Sequence, residues 1–221
     1  MKRAFFLILL VLQSIILAAQ IPTSYYNNAN NLTGTALRQA LHDIIDNHSV
    51  KSYSSLYTHF ATTDIKSNGL IWDIYSDNPG GTPPYTYTTA QTCSNTPGYE
   101  NGCFNREHSW PQSWFGGNQS SPMYSDLFHV YPTDSYVNTR RSNYPYGEVS
   151  SPTWTSQNGS KLGPCAYPGY TGTAFEPLDE FKGDLARTYF YVCTRYYGED
   201  TGWITNSLMS GANLLPWSLT M

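Results

Sequence analysis

Apolar residues recur at helical spacing in three segments of the chain. TGTALRQALHDIIDNH has leucines and isoleucines on one face and begins with a threonine suited to an N-cap, and YSSLYTHFATTD has a shorter version of this pattern. DLARTYFYVCTRYYG has apolar and aromatic residues on most sides and ends at Gly198. We therefore predict three helices, of which the last is substantially buried.

Other segments have the composition of strands. GLIWDIYSD is rich in β-branched and aromatic residues and is followed by Asn78, Pro79 and two glycines. PYTYTTAQTC and CFNREHSW enclose the turn-rich loop CSNTPGYENGC, which predicts two strands joined by that loop.

A strand-like run also precedes Pro132, and the residues after it predict a short helix that is capped by Thr133 and reaches Arg141. From Glu148 to Ala174 serine, glycine, proline and threonine dominate, which predicts a long ordered surface loop. The local order is strand, strand, helix. The predicted fold class is α+β: a single domain with antiparallel strands, a short helix, flanking helices and long loops.

The first nineteen residues differ from the rest of the chain. Lys2 and Arg3 precede an apolar run that ends in small residues, which is typical of a signal peptide cut near Ala19. We therefore predict a signal peptide at 1–19, a domain at 20–221, secretion to an extracellular or periplasmic location, and a mature form outside the membrane.

Charge and cysteine content narrow the choice of partners. Removing residues 1–19 takes away two basic residues and no acidic one, so the formal charge changes from −4 to −6. A polyanionic partner must then be bound by a local basic cluster and a metal ion.

Four cysteines suit an oxidising compartment, and the short loop favours a Cys93–Cys103 disulfide, whereas Cys193 falls within a helical pattern.

Candidate chemistry concentrates around the adjacent residues Glu107 and His108. Neighbouring side chains on a strand point to opposite faces, so Glu107 and His108 do not readily bind one small ion together. They can, however, lie on two sides of a larger group such as a phosphate. A neutral imidazole at His108 takes a proton from water. The oxygens of Glu107 and Asn138 are the hard ligands that Mg²⁺ prefers, with Ca²⁺ or Mn²⁺ as alternatives. Arginines nearby would hold phosphate oxygens.

The segments NREHSWPQSWFGG and DLFHVYPTDSYVNTRRSNYPYGEV resemble the secreted endonuclease I family, which comprises non-specific nucleases with a ββα-metal (His-Me finger) site. The resemblance runs from about Leu37 to the C-terminus. It implies that His108 is the general base, that Glu107 and Asn138 are the metal ligands, and that DNA, and RNA as a second substrate, is bound through backbone phosphates by a monomer.

The sequence departs from the family pattern in two places. The interval from Phe115 to Tyr124 is short and lacks the family's phosphate-contacting arginine, so Arg106, Arg140 and Arg141 become the candidates, with Arg141 preferred. The chain also ends at LLPWSLTM, where relatives of this family usually continue with a closing segment, so we expect either a fragment or a shortened member of the family.

Simpler roles exist for the same residues. Glu107 has Arg106 or Lys161 as a surface partner, Asn138 suits a local turn, and His129 suits a supporting role by packing. Two other classes of protein are compatible with the many aromatic and acidic residues: a secreted glycoside hydrolase with two carboxylates, and a non-catalytic aromatic-rich binding module.

Overall fold

Two antiparallel strands and the helix that follows them form the centre of the fold. In the computed structural model, which describes residues 21–199 and residue 203, β1 (Phe104–His108) pairs with β2 (Val130–Asp134), and α3 (Ser135–Arg141) follows directly. In the register of this pair His108 lies opposite Val130. The predicted order of strand, strand and helix and the α+β class are confirmed, whereas the signal-peptide segment 1–19 and the final residues LLPWSLTM lie outside the described residues.

The partner of β1 differs from the prediction. Residues 84–93 do not form a hairpin strand with β1; they reach it through one isolated parallel bridge, between Thr92 and Phe104. Within the described residues GLIWDIYSD is not a strand either, and only Ile71 makes a bridge, to Ile65. Both segments are anchored by side chains instead, since Ile71, Ile74, Tyr75, Tyr85 and Tyr87 are all buried.

The start of α3 is fixed by Asp134 rather than by Thr133. Asp134 Oδ1 accepts hydrogen bonds from the backbone N–H groups of Tyr136 (2.8 Å) and Val137 (2.9 Å), which otherwise lack partners in the first turn. Asp134 Oδ2 accepts from the Tyr87 hydroxyl (2.6 Å) and from the backbone N–H of Asn101 (2.9 Å). One carboxylate therefore joins the helix to the preceding disulfide loop.

Pro132 does not end the strand before α3. It lies within β2 opposite Arg106, and because β1 and β2 form a two-stranded sheet, a proline nitrogen on the open side of β2 removes no ladder bond.

The three predicted helices are present. They are α1 (Gly34–Ile45), α2 (Leu56–Thr63) and α4 (Asp179–Arg195), with short 3-10 turns at Asn27–Ala29, Tyr53–Ser55, Gln112–Phe115 and Pro122–Ser125. Helix α4 begins five residues before the predicted segment, with two acidic residues in its first turn, where they complement the helix dipole. Arg38 of α1 donates two hydrogen bonds, 2.6 and 3.0 Å long, to the backbone oxygen of Cys193 on α4.

The predicted loop at 148–174 contains a second sheet. Strands β3 (Trp154–Thr155), β4 (Lys161–Pro164) and β5 (Thr173–Glu176) pair antiparallel in the order β3-β4-β5. The loop prediction was therefore wrong, because strands of two to four residues are too short to show the alternation that would identify them.

The core is rich in aromatic residues and consists of two clusters of buried side chains. Its largest fully buried side chains include Trp110, Trp114, Tyr75 and Tyr189.

The predicted Cys93–Cys103 disulfide is present and closes the loop before β1, whereas Cys165 is not disulfide-bonded. Among residues 21–199, no helix has both the length and the apolar character needed to cross a bilayer.

Candidate active site

A cleft of about 320 Å³ opens between β1, the segment that follows it, and α3. We call it the His108 cleft, and its lining residues are Arg106, Glu107, His108, Pro111, Gln112, Ser113, Asn138, Ser142 and Asn143. Four of the five predicted site residues therefore meet at one place, and the fifth, Arg141, does not line the cleft.

Both ring nitrogens of His108 have a hydrogen-bond partner. Its Nε2 lies 2.9 Å from the backbone oxygen of Tyr124, and its Nδ1 lies 3.0 Å from the side-chain nitrogen of Gln112. Because a carbonyl oxygen accepts only, Nε2 carries the proton and donates it to Tyr124. The lone pair is consequently on Nδ1, the atom that Gln112 contacts and the one suited to accept a proton.

Burial keeps this imidazole uncharged. Only 5% of His108 is exposed, with the rings of Tyr53, Tyr124, Phe115 and His129 around it. Desolvation, reinforced by the neighbouring His129, lowers the pKa of His108 to about 3. At neutral pH the ring is therefore a free base, although substrate can reach it only from the cleft side.

Glu107 is a buried carboxylate with a fixed set of donors. Its Oε1 accepts from Arg141 Nη1 (2.7 Å), the Tyr75 hydroxyl (2.8 Å) and the Tyr146 hydroxyl (3.3 Å). Burial raises the pKa of the Glu107 carboxyl, and the Arg141 guanidinium opposes that shift. Glu107 therefore does not form a surface pair with Arg106, and Lys161 pairs instead with Glu176, at 3.0 Å.

Arg141 lies beneath the cleft rather than in it. Its side chain is fully buried, and besides Glu107 it donates to the backbone oxygens of His108 (2.8 Å) and Ser109 (2.6 Å). A guanidinium in this position cannot contact a phosphate in the cleft. The expectation that Arg141 holds the substrate is not supported by this geometry, because its place is to fix β1 and the Glu107 carboxylate.

Asn138 lines the cleft, and Asn105 orients its amide. Its Nδ2 donates to Asn105 Oδ1 on β1 at 2.8 Å, so its own Oδ1 is directed away from Asn105. Because Asn138 also lines the cleft, this oxygen is available to a ligand there. The bond spans 33 residues and links α3 to β1, which differs from a local turn.

The donor set at the cleft fits a hard divalent cation. The hydrogen bonds to Glu107 from described residues fall on Oε1, so Oε2 and Asn138 Oδ1 are two oxygen ligands that such an ion prefers. Two other groups of close ligand atoms exist in the described part of the chain, His42–Asp46–Glu199 and Glu148–Glu176–Asp179, and both lie outside the cleft. The second of them already surrounds the ammonium of Lys182.

Arg106 is the arginine that the fold presents to the cleft. Its guanidinium carbon lies 3.8 Å from the ring centre of Tyr53 and 4.4 Å from that of Tyr57, and Nη1 donates to the Tyr53 backbone oxygen (3.0 Å). These contacts fix the side chain while keeping its charge. Arg140, the third candidate, instead packs over Trp154 at 5.3 Å and does not line the cleft.

His129, for which a supporting role is expected, and the nearby Asp126 are both buried. His129 is fully buried, its Nε2 lies 2.6 Å from the backbone oxygen of Met123, and its ring packs 5.7 Å from that of His108. Asp126 accepts hydrogen bonds from the hydroxyls of Tyr191 (2.8 Å) and Tyr196 (2.7 Å).

Sequence reasoning missed the residues that orient this site. Gln112 contacts the base, Asn105 sets the amide of Asn138, and Tyr75 and Tyr146 donate to Glu107. The sequence could have indicated Asn105, since it lies two residues before Glu107 on the same strand. Nothing in the local sequence indicates the two tyrosines, because they lie 32 and 39 residues from Glu107 along the chain.

Comparison with known proteins shows the family of this chain. An "Extracellular ribonuclease" of Bacillus amyloliquefaciens is 34% identical over 182 residues, and one of Bacillus subtilis (strain 168) is 31% identical over 177 residues. Each alignment covers 80% of this chain and 55% of the relative, so the chain spans about half the length of these relatives. No solved structure matches the chain. The family model described as Endonuclease I matches residues 33–214, and the chain therefore belongs to the endonuclease I family.

Proposed function

We propose that this protein is a secreted, metal-dependent endonuclease that hydrolyses phosphodiester bonds of DNA and RNA with little sequence preference. The observation that carries the proposal is the neutral His108 imidazole, whose lone pair faces a cleft that also contains Glu107, Asn138 and Arg106. The two similar proteins are named extracellular ribonucleases, which supports the proposal of secretion and of RNA as one substrate.

In the proposed reaction His108 Nδ1 takes a proton from a water molecule as the water oxygen bonds to phosphorus and the bond to one sugar oxygen breaks. The Tyr124 carbonyl keeps the ring in the reactive tautomer throughout, because it holds the proton on Nε2. Arg106 holds a phosphate oxygen by a charge-assisted hydrogen bond. In this scheme the protein contacts the substrate at a phosphate oxygen, which carries no base identity, so we expect weak sequence preference.

Glu107 and Asn138 would hold a divalent cation, with Mg²⁺ as the first choice. When bound, the ion supplies charge stabilisation to the phosphate and to the leaving oxygen. Glu107 is suited to this role because Arg141 and two tyrosine hydroxyls hold its carboxylate in one orientation.

A glycoside hydrolase is disfavoured by the cleft itself. That mechanism needs two carboxylic acids on either side of the scissile bond, and among the described residues that line the cleft Glu107 is the one carboxylate. A purely structural binding module gives no reason for a neutral, tautomer-fixed histidine beside a buried carboxylate.

The test is cleavage of plasmid DNA and of a structured RNA by the purified protein with Mg²⁺, with EDTA, and by His108→Ala. We expect cleavage of both substrates with Mg²⁺, none with EDTA, and a loss of about 100-fold or more in rate in the variant. His59→Ala, at a partly exposed histidine on α2 that does not line the cleft, is the matched control. Cleavage that persists in EDTA or in His108→Ala would disprove the mechanism.

A further inference from the structure

Gln112 occupies the one atom of His108 that the reaction needs. Its amide nitrogen lies 3.0 Å from Nδ1, and the opposite ring nitrogen is committed to the Tyr124 carbonyl. An imidazole nitrogen without a proton has a single lone pair in the ring plane. A water molecule and the Gln112 amide therefore cannot both donate to Nδ1 at once.

The backbone around Gln112 is fixed, whereas its side chain has room. Gln112 begins a 3-10 turn in which Trp114 and Phe115 are buried, and its backbone oxygen accepts from Gly117 N–H at 2.8 Å. Its side chain is half-buried and lines the open His108 cleft. A change of partner at Nδ1 thus requires rotation of this side chain and no movement of the chain.

We propose that Gln112 is the residue that positions the attacking water, and that it does so by exchanging its own hydrogen bond for the water's. In the free protein its N–H group donates to His108 Nδ1. When substrate binds, the amide rotates away, a water molecule donates one hydrogen to Nδ1, and Gln112 Oε1 accepts the other hydrogen. The water oxygen then directs a lone pair towards phosphorus.

This inference rests on the proposed function and goes beyond it. The base alone does not orient a water molecule, since a water held by one hydrogen bond still rotates about it, whereas a second partner removes that freedom. Within the described lining of the cleft Gln112 is the side chain already in contact with the reactive nitrogen, so the exchange needs no other group to approach.

The kinetic test compares three variants under saturating Mg²⁺. Gln112→Met keeps the size of the side chain but has no strong hydrogen-bonding group, and we expect kcat to fall about tenfold or more with KM changed less than about twofold. Gln112→Glu keeps an acceptor but cannot donate to Nδ1 when ionised, so its kcat should exceed that of Gln112→Met. Gln39→Met, at an exposed glutamine on α1, should match the wild type.

The second test measures selection of the nucleophile. Cleavage in a water–methanol mixture gives a phosphate end with water and a methyl phosphate ester with methanol, which mass spectrometry separates. If Gln112 orients water, Gln112→Met should form a larger fraction of the methyl ester than the wild type does. A residue that only supports the fold would not change this ratio.

The possible outcomes are distinct. An inactive wild type overturns the proposed function and this inference together. An active wild type with an unchanged kcat and an unchanged methyl-ester fraction in Gln112→Met overturns this inference alone. Equal losses in Gln112→Met and Gln112→Glu also overturn it, because Gln112 would then act only as a donor to the resting ring.

Discussion

Arg141 and Glu107 form a buried ion pair, with 2.7 Å between Nη1 and Oε1 and side-chain exposures of 0% and 2%. The pair lies directly under the His108 cleft. It gives the cleft a carboxylate with a permanent counter-ion on its inner side, so the other carboxylate oxygen has a fixed position relative to β1.

Removing one member of this pair should strongly destabilise the fold. Arg141→Met leaves the Glu107 charge buried and unpaired, and we expect the free energy of unfolding to fall by about 3–5 kcal/mol in urea titrations. The double variant Arg141→Met/Glu107→Gln should recover part of this loss. The exposed pair Arg187–Asp184 is the control, and Arg187→Met should cost under about 1 kcal/mol. Equal losses for Arg141→Met and Arg187→Met would contradict the buried-pair account.

Divalent-ion affinity should depend on Asn105 as well as on Asn138. In a His108→Ala background, calorimetric titration with Mn²⁺ or Mg²⁺ should show weaker binding in Asn138→Ala. Asn105→Ala releases the Asn138 amide and should weaken binding by about tenfold, whereas Asn105→Asp keeps the acceptor and should bind more tightly than Asn105→Ala. Asn68→Ala, on an exposed turn, should bind as the parent does. Unaltered binding in Asn138→Ala would remove this residue from the metal site.

Activity should extend to unusually low pH for a histidine base. Because burial lowers the pKa of His108 to about 3, its neutral, proton-accepting form persists as the pH falls through the ordinary histidine range. We expect kcat at saturating metal and substrate to change little from pH 7 to 5.5, whereas a base with an unperturbed pKa of about 6.5 would lose about tenfold. Circular dichroism at each pH verifies that the protein stays folded. A midpoint near 6.5 would show that the ring is solvated during the reaction.

Arg106 should contribute affinity through charge. Arg106→Ala should weaken binding of oligonucleotides of different sequence to a similar degree and reduce the slope of log affinity against log salt by about one. Fluorescence anisotropy in the His108→Ala background measures this without cleavage. Arg106→Lys keeps the charge but loses the planar stacking on Tyr53 and Tyr57, so an intermediate affinity is expected. An effect confined to one sequence would indicate contact with a base.

The Cys93–Cys103 disulfide should stabilise the approach to β1. It closes a loop with a sequence separation of 10, and replacing both cysteines by serine should reduce the free energy of unfolding by about 2–3 kcal/mol. The same replacement at Cys165, which is not disulfide-bonded, provides a comparison. A double variant as stable as the wild type would mean that the loop is held mainly by Asp134.

Local patterns in the sequence predicted the helices but not the pairing of strands, and the roles proposed for residues on β1 and α3 came with the family resemblance. The β1–β2 pair spans an interval of more than twenty residues, and Pro132 makes β2 resemble a strand end, so PYTYTTAQTC was a more obvious partner. Tyrosine and threonine favour strands statistically, yet here those tyrosines fill the core while their backbone makes only isolated bridges.

The burial of Arg141 was equally hidden from local patterns. An arginine near a helix C-terminus normally faces solvent, and here its guanidinium contacts Glu107 and Tyr189, which are distant in sequence, as well as the nearby Tyr146. Gln112 was missed for a related reason, since a polar residue in a turn has no periodicity. Its closeness to His108 in sequence becomes informative only once the turn brings the two side chains together.

The carboxylate of Asp134 holds the first turn of α3 with one oxygen and the disulfide loop with the other. The loop and the start of the helix are therefore connected through a single side chain. A displacement of the loop would therefore pass through Asp134 to the first turn of α3, one turn before Asn138.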